Sequence, residues 1–239
     1  MKQAFVTGGS GDIGSAICHK LAQQGMHVIV HAGSRLQHAE QVALSIIESG
    51  GSAESICFDV TDAKTSREVL ENDLANRPIQ VIVSNAGIHD DAPLAGMSYE
   101  QWHRVIDVSL HGFYNVTQPL LLPMIRTRWG RVIALSSIAG QLGNRGQANY
   151  AAAKAGLHGA IKSLSQELGS RGVTANVVAP GIIQGEMTAQ VFDQDLIRKM
   201  VPVQRAGEPA EVAELVGFLA SDKAAYISGQ VIGINGGIT

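Results

Sequence analysis

Seven short runs of β-branched and apolar residues recur along this chain, and the segments between them are long enough to hold helices. That alternation restricts the fold more than any other feature. The runs are Ala4 to Val6, Val28 to Val30, Ser55 to Phe58, Val81 to Val83, Val132 to Leu135, Thr174 to Val178 and Val231 to Ile234. Strands that are apolar on both faces belong to a parallel sheet covered on both sides, and parallel neighbours need a crossover of about a dozen residues or more. Helical spacing of apolar positions runs through Ile13 to Gln24, Leu36 to Glu48, Ala63 to Ala75, Tyr99 to Leu122, Tyr150 to Leu168 and Pro209 to Ala220. The pattern is (βα)n, and it predicts one α/β domain over residues 1–239: a doubly wound parallel sheet of about seven strands. The one long interruption, residues 185–207, carries a short helix from Asp193 to Met200 and reads as a substrate lid.

Composition removes several functions. The chain has 239 residues, 18 basic and 21 acidic, for a net charge of −3, so the basic footprint of a nucleic-acid binder is absent. No stretch reaches the roughly 18 apolar residues of a membrane span, and the first residues lead into a strand, unlike a signal peptide; a cytoplasmic protein is expected. Cys18 and Cys57 form no metal-spaced cluster and read as structural thiols. No metal site is predicted. Charged residues make up 16% of the chain, below the usual quarter or so, while glycine, at 27 residues, is enriched.

Four of those glycines sit directly after the first strand, in Thr7, Gly8, Gly9, Ser10, Gly11, Asp12, Ile13, Gly14. Glycines at a strand-to-helix turn let backbone approach a pyrophosphate, whose charge meets the free N–H groups and positive end of the helix. The fold expected is therefore of Rossmann type. Dinucleotide sites that take NAD place an acid about 20 residues further on, against the ribose 2′-hydroxyl. Here no acid lies between Asp12 and Glu40, and the second strand ends in His31, Ala32, Gly33, Ser34, Arg35. A hydroxyl and a guanidinium there suit a 2′-phosphate, which points to NADP(H). His27 and His31 themselves carry no chemical signal.

A second constellation lies in the other half. Tyr150 and Lys154 are one helical turn apart and share a face. An ammonium beside a phenol favours the phenolate and is expected to lower its pKa, which makes tyrosine a usable proton donor and acceptor. Ser136 and Ser137, at the end of the fifth strand, offer a hydroxyl to a substrate carbonyl.

Taken together, these residues resemble the short-chain dehydrogenase/reductase family from Phe5 to Gly237. The likeness adds Asp59 and Val60, Asn85, Ala86 and Gly87, Ala179, Pro180 and Gly181, and Asn235, Gly236 and Gly237 to the motifs above. It implies that Asp59 and Val60 flank an adenine, that Asn85 to Gly87 support the cofactor and that Pro180 to Ile183 line the nicotinamide. Tyr150 is implied as general acid, Ser137 as carbonyl anchor and Lys154 as ribose ligand. The run Gly146 to Gly156 and the ending Phe218 to Gln230 are similar to 3-oxoacyl-[acyl-carrier-protein] reductases. That likeness implies a carrier-bound 3-oxoacyl substrate in fatty-acid or specialised polyketide or polyene synthesis, Arg128 and Arg171 facing an acidic acyl carrier protein, and a homotetramer through the fourth and fifth helices and the last strand. A reductase of small free ketones or sugars, or a dinucleotide-sensing protein without turnover, are the competing readings. Apolar positions such as Leu157, Ile161 and Leu164 are expected to be shared between the core and subunit contacts.

Three positions depart from the family pattern: Asp12 replaces a glycine, Ser109 replaces a catalytic asparagine and Gly185 replaces a threonine. The Asp12 carboxylate is expected to turn from the phosphates, and Ser109 to hold a relay water at shorter reach.

Overall fold

The computed structural model describes residues 1–74, 77–185, 188 and 193–239. Its strands are β1 (Gln3–Val6), β2 (His27–Ala32), β3 (Ser52–Cys57), β4 (Val81–Ser84), β5 (Gly130–Leu135), β6 (Val173–Pro180) and β7 (Val231–Ile234). Among the described residues the helices are α1 (Asp12–Gln23), α2 (Leu36–Glu48), α3 (Ala63–Asp73), α4 (Tyr99–Ile106), α5 (Gly112–Arg126), α6 (Ala139–Leu142), α7 (Ala148–Leu168), α8 (Gln194–Met200) and α9 (Pro209–Leu219).

All seven strands pair in parallel, in the order β3-β2-β1-β4-β5-β6-β7. The order reverses between β1 and β4, and a sheet of this kind opens its ligand crevice at the carboxyl ends of the strands at that point. Alternate residues of each strand feed opposite layers. Ala4, Val6, Val28, Val30, Val81 and Val83 pack with α1, α2 and α9. Their neighbours Phe5, Ile29 and Ile82 pack on the other side with α3, α5 and α7. Both faces are covered, which is why the strands read as continuous apolar runs.

Two expectations change. The helix predicted across Tyr99 to Leu122 is not continuous: α4 ends at Ile106, a five-residue π-helical turn covers Asp107–His111, and α5 follows. The wide turn inserts a residue into the helical register and brings Ser109 inward. Leu157 and Ile161, expected to be shared with a partner, are 1% and 0% exposed. They lie wholly in the core against the sheet, because α7 lies flat on β5 and β6; only Leu164 of the three stays partly exposed.

The segment predicted as a lid is closed at its base. Ile183 bridges Gly207 in parallel, with Gly207 N–H donating to Ile182 O (2.9 Å) and Gln184 N–H to Gly207 O (2.8 Å). The Asp193 carboxylate caps α8 by accepting from Leu196 N–H at 2.7 Å, and Ile182, Val201 and Ala206 form a small core beneath it. Residues 186, 187 and 189–192 of that segment lie outside the described residues.

Candidate active site

The glycine turn is built by close approach. A Cβ on Gly14 would fall on the Gly8 carbonyl, and one on Gly9 would stand 2.9 Å from Val30 Cγ1. Gly8 has φ +61°, a left-handed conformation that costs a residue with a Cβ about 1 kcal/mol or more. β4 grips the turn from the side. Thr7 Oγ1 accepts from Asn85 N–H and Ala86 N–H at 2.9 Å each, and Asn85 Nδ2 donates to Thr7 O and Gly8 O at 3.0 Å each. No side chain caps α1 at its N-cap Gly11, so first-turn N–H groups are available to an anion. A cleft of about 480 Å³ opens there, lined by Ser10, Gly11, Asp12, Ser15, Gln184, Gly185 and Pro209.

The rest of the groove follows the strand ends. Ser34 and Arg35 are exposed at the end of β2. The Asp59 carboxylate is fixed after β3 by accepting from Thr61 N–H and Thr61 Oγ1, both at 2.9 Å, while Val60 is buried and its carbonyl accepts from Asn115 Nδ2. Gly181 packs on Asn235, with a Cβ there only 2.8 Å from Asn235 Cα, and donates to Ile234 O. Ile183 is buried at the foot of the lid segment. Such a row of backbone-approach glycines, exposed N–H groups and a guanidinium fits a nicotinamide dinucleotide.

The chemical residues converge at the end of β5. The Ser137 hydroxyl lies near the Tyr150 phenol and favours its ionised form, yet burial outweighs that pull and the nearby Asp91 carboxylate adds to burial, so the phenol lies above its ordinary value. This corrects the expected sign. The reason is the position of Lys154: its Nζ donates to Leu135 O at 2.9 Å and sits 5.6 Å from the Tyr150 ring centroid. Burial pushes the Lys154 ammonium down to about 8. Ser136, the neighbouring candidate, turns away from the cleft and donates to Lys154 O at 3.0 Å. Ser109 is 1% exposed, and its Oγ has no hydrogen-bond partner among the described residues. A Cβ on Gly87 would stand 2.9 Å from Lys154 Nζ and 3.5 Å from Ser109 Oγ. Gly87, Ser109 and Lys154 therefore share one small space, and only a glycine leaves it open.

Asn149 anchors the start of α7. It is fully buried, its Nδ2 donates to Asp90 O and Gln101 O at 3.0 Å each, and its Oδ1 accepts from Tyr150 N–H at 2.8 Å. Sequence reasoning passed over it as ordinary helix start. The structure does not bring Arg128 and Arg171 to this cleft. They stand just before β5 and β6, at the amino ends of the strands and opposite the cleft, where Arg128 Nη2 donates to Ser170 O at 3.5 Å.

A family model described as enoyl-(acyl carrier protein) reductase matches residues 9–239. The chain belongs to the short-chain dehydrogenase/reductase family. Among the relatives of this short-chain dehydrogenase/reductase is the 3-oxoacyl-[acyl-carrier-protein] reductase FabG of Aggregatibacter actinomycetemcomitans, 43% identical over 98% of each chain. The enzymes of the same name from Staphylococcus epidermidis and Pseudomonas aeruginosa are 41% and 37% identical over 99% of this chain and 98% and 97% of theirs. A nicotinamide dinucleotide is thereby the cofactor class of this short-chain dehydrogenase/reductase.

Proposed function

We propose that this protein reduces a 3-oxoacyl thioester carried on acyl carrier protein, the substrate its FabG relatives are named for, to the 3-hydroxyacyl thioester, with NADPH as reductant. The observation that carries the reading is the convergence of Ser137 and the Tyr150 phenol at the end of β5, close enough to interact, with Lys154 one turn further along α7. The bound cofactor supplies a hydride to the carbonyl carbon.

Ser137 and Tyr150 hold the substrate oxygen between two hydroxyl donors, and Tyr150 passes its proton to that oxygen as charge develops on it. A phenol whose pKa is raised keeps that proton through the physiological range, which suits the reductive direction. Lys154 holds its ammonium 5.6 Å from the Tyr150 ring centroid, where a ribose hydroxyl is expected to bind it. Ser109 Oγ, buried beside Lys154, is placed to hold a water that returns the proton to Tyr150. At the other end, Arg35 and Ser34 are proposed to take the 2′-phosphate of NADP(H), with Asp59, Val60, Asn85, Ala86, Gly87, Pro180, Gly181 and Ile183 lining the groove between.

Carrier recognition is assigned to Arg128 and Arg171. Strands β5 and β6, of 6 and 8 residues, put roughly 20 Å between these side chains and the cleft of the same chain. A carrier held on them serves the cleft of a neighbouring protomer in the proposed homotetramer. The exposed Tyr99, Tyr114 and Leu122 on α4 and α5, together with the edge strand β7, are the surfaces available to build that assembly. Among the described residues no helix is long and apolar enough to cross a membrane. The decisive comparison presents the same 3-oxoacyl chain on carrier protein and on coenzyme A. Replacing Arg128 and Arg171 together with Glu is expected to raise KM for the carrier-bound substrate only; equal losses on both substrates refute their role as a carrier-docking pair.

A further inference from the structure

One buried side chain ties the glycine turn to the loop after β3, and the chemistry above does not use it. His31, in β2, is 1% exposed. Its Nδ1 lies 3.3 Å from Gly8 N, the peptide that opens the glycine turn, and its Nε2 lies 2.9 Å from Phe58 O, the carbonyl just before Asp59 and Val60. The His31 carbonyl also accepts from Gly9 N–H at 2.8 Å. Gly8 is therefore gripped on both sides, its carbonyl by Asn85 and its N–H by the imidazole. The ring is walled by Phe58, edge-on at 4.4 Å between centroids, and by Phe5 at 5.9 Å.

These partners fix the ring's protonation pattern. A peptide N–H can only donate and a carbonyl can only accept, so Nδ1 is bare and Nε2 carries the hydrogen. Burial pushes the imidazole down to about 4, against smaller upward pulls from the Phe58 bond and the Asp59 carboxylate, so one neutral tautomer persists at neutral pH.

We propose that His31 is a positioning residue for the cofactor: as the neutral Nε2–H tautomer it braces the pyrophosphate turn against the adenine-flanking loop, and so sets affinity for the dinucleotide without taking part in hydride or proton transfer. The proposal rests on the assignment of a nicotinamide dinucleotide to this groove. Losing the brace leaves two peptide groups without partners, and a net hydrogen bond of about 0.7 kcal/mol each, within the usual range, corresponds to roughly a tenfold loss in affinity for the pair.

Imidazole nitrogen-15 spectra of the folded protein at pH 7 are expected to show His31 as the neutral Nε2–H tautomer. The Nδ1–H tautomer or a charged ring overturns the proposal. Fluorescence titration with NADPH then compares three variants. His31→Asn keeps an acceptor near Gly8 N–H and is expected to hold Kd within about threefold, whereas His31→Phe fills the space with neither bond and raises Kd roughly tenfold, with kcat at saturating cofactor within twofold. His31→Gln, which reaches Phe58 O but not Gly8, falls between them and replaces His31→Phe if that variant does not fold. Equal Kd across all three variants, or lost kcat at unchanged Kd, overturns the proposal. A wild-type protein that binds neither NADPH nor NADH defeats the cofactor assignment instead, an outcome distinct from both.

Discussion

The Asp12 carboxylate occupies the space in which a side chain at position 185 would stand. A Cβ built on Gly185 falls on Asp12 Oδ2 and lies 3.0 Å from its Cγ. Two of the three departures from the family pattern thus meet across the cleft: the acid at the start of α1 stands where a side chain at 185 would go, and Gly185, at φ +157°, lies in a conformation that favours glycine in any case. The carboxylate points across to Gly185, while its place in the first turn of α1 favours the helix dipole.

This pairing predicts non-additive mutants. Gly185→Thr alone forces a side chain into the acid and is expected to cost about 1–3 kcal/mol of stability, the range of an overpacked site. Asp12→Gly alone costs up to about 1 kcal/mol through the lost dipole interaction. The double variant is expected to recover the part of the first loss that comes from the acid, while the strain of a side chain at φ +157° remains, a coupling of at least about 1 kcal/mol in a thermal-denaturation cycle. Additive losses count against the pairing.

Lys154 gives a pH signature. An unfolded lysine holds its proton to about 10.4, whereas the buried Lys154 lets go near 8. Between those values the unfolded chain binds more protons, so folding stability rises with pH through that window, and below pH 8 the penalty for burying the ammonium is fully present. Wild type is therefore expected to gain stability over Lys154→Met as pH is raised from 8 to 10. A difference in melting free energy that stays flat over that range would contradict the burial of a titrating ammonium.

Ser109 separates a relay from a packing hydroxyl. An orphaned buried hydroxyl costs about 1–3 kcal/mol, so as mere packing its removal in Ser109→Ala stabilises the fold and leaves kcat alone. As a holder of relay water, the same change lowers kcat by about tenfold at constant cofactor KM and without a gain in Tm. The second outcome is expected.

Cofactor choice is expected to reside in Arg35. Charge-assisted bonds to a phosphate are worth about 1.5–3 kcal/mol, so Arg35→Ala should raise KM for NADPH by at least about tenfold and leave KM for NADH within twofold. A wild-type enzyme that prefers NADH sinks this assignment.

The strands and the order of motifs were legible because a sheet buried on both faces leaves uninterrupted apolar runs, and because Gly8, Gly9 and Gly14 answer a local demand for backbone approach. Other features depend on partners far along the chain. The π turn at Asp107–His111 is invisible to helical periodicity because a single inserted residue shifts register without altering composition. His31 reads as a stray polar residue in a strand until β1 and β3 close on it. Lys154 was expected to act on the phenol through sequence proximity, yet Leu135 O, 19 positions away, holds its ammonium. Arg128 and Arg171 were paired by resemblance, and only the parallel topology sets them at the amino ends of the strands, far from the chemistry.

The central claim, that Tyr150 donates the proton in reduction of a 3-oxo group, is tested most directly by NADPH consumption with a 3-oxoacyl carrier thioester, wild type against Tyr150→Phe. Loss of a general acid lowers kcat by about 10²–10⁴, and a loss in that range is expected, with NADPH Kd unchanged and no comparable wild-type turnover of the matching 2-enoyl thioester. Undiminished turnover in Tyr150→Phe, or faster reduction of the enoyl than of the oxoacyl substrate, would contradict it.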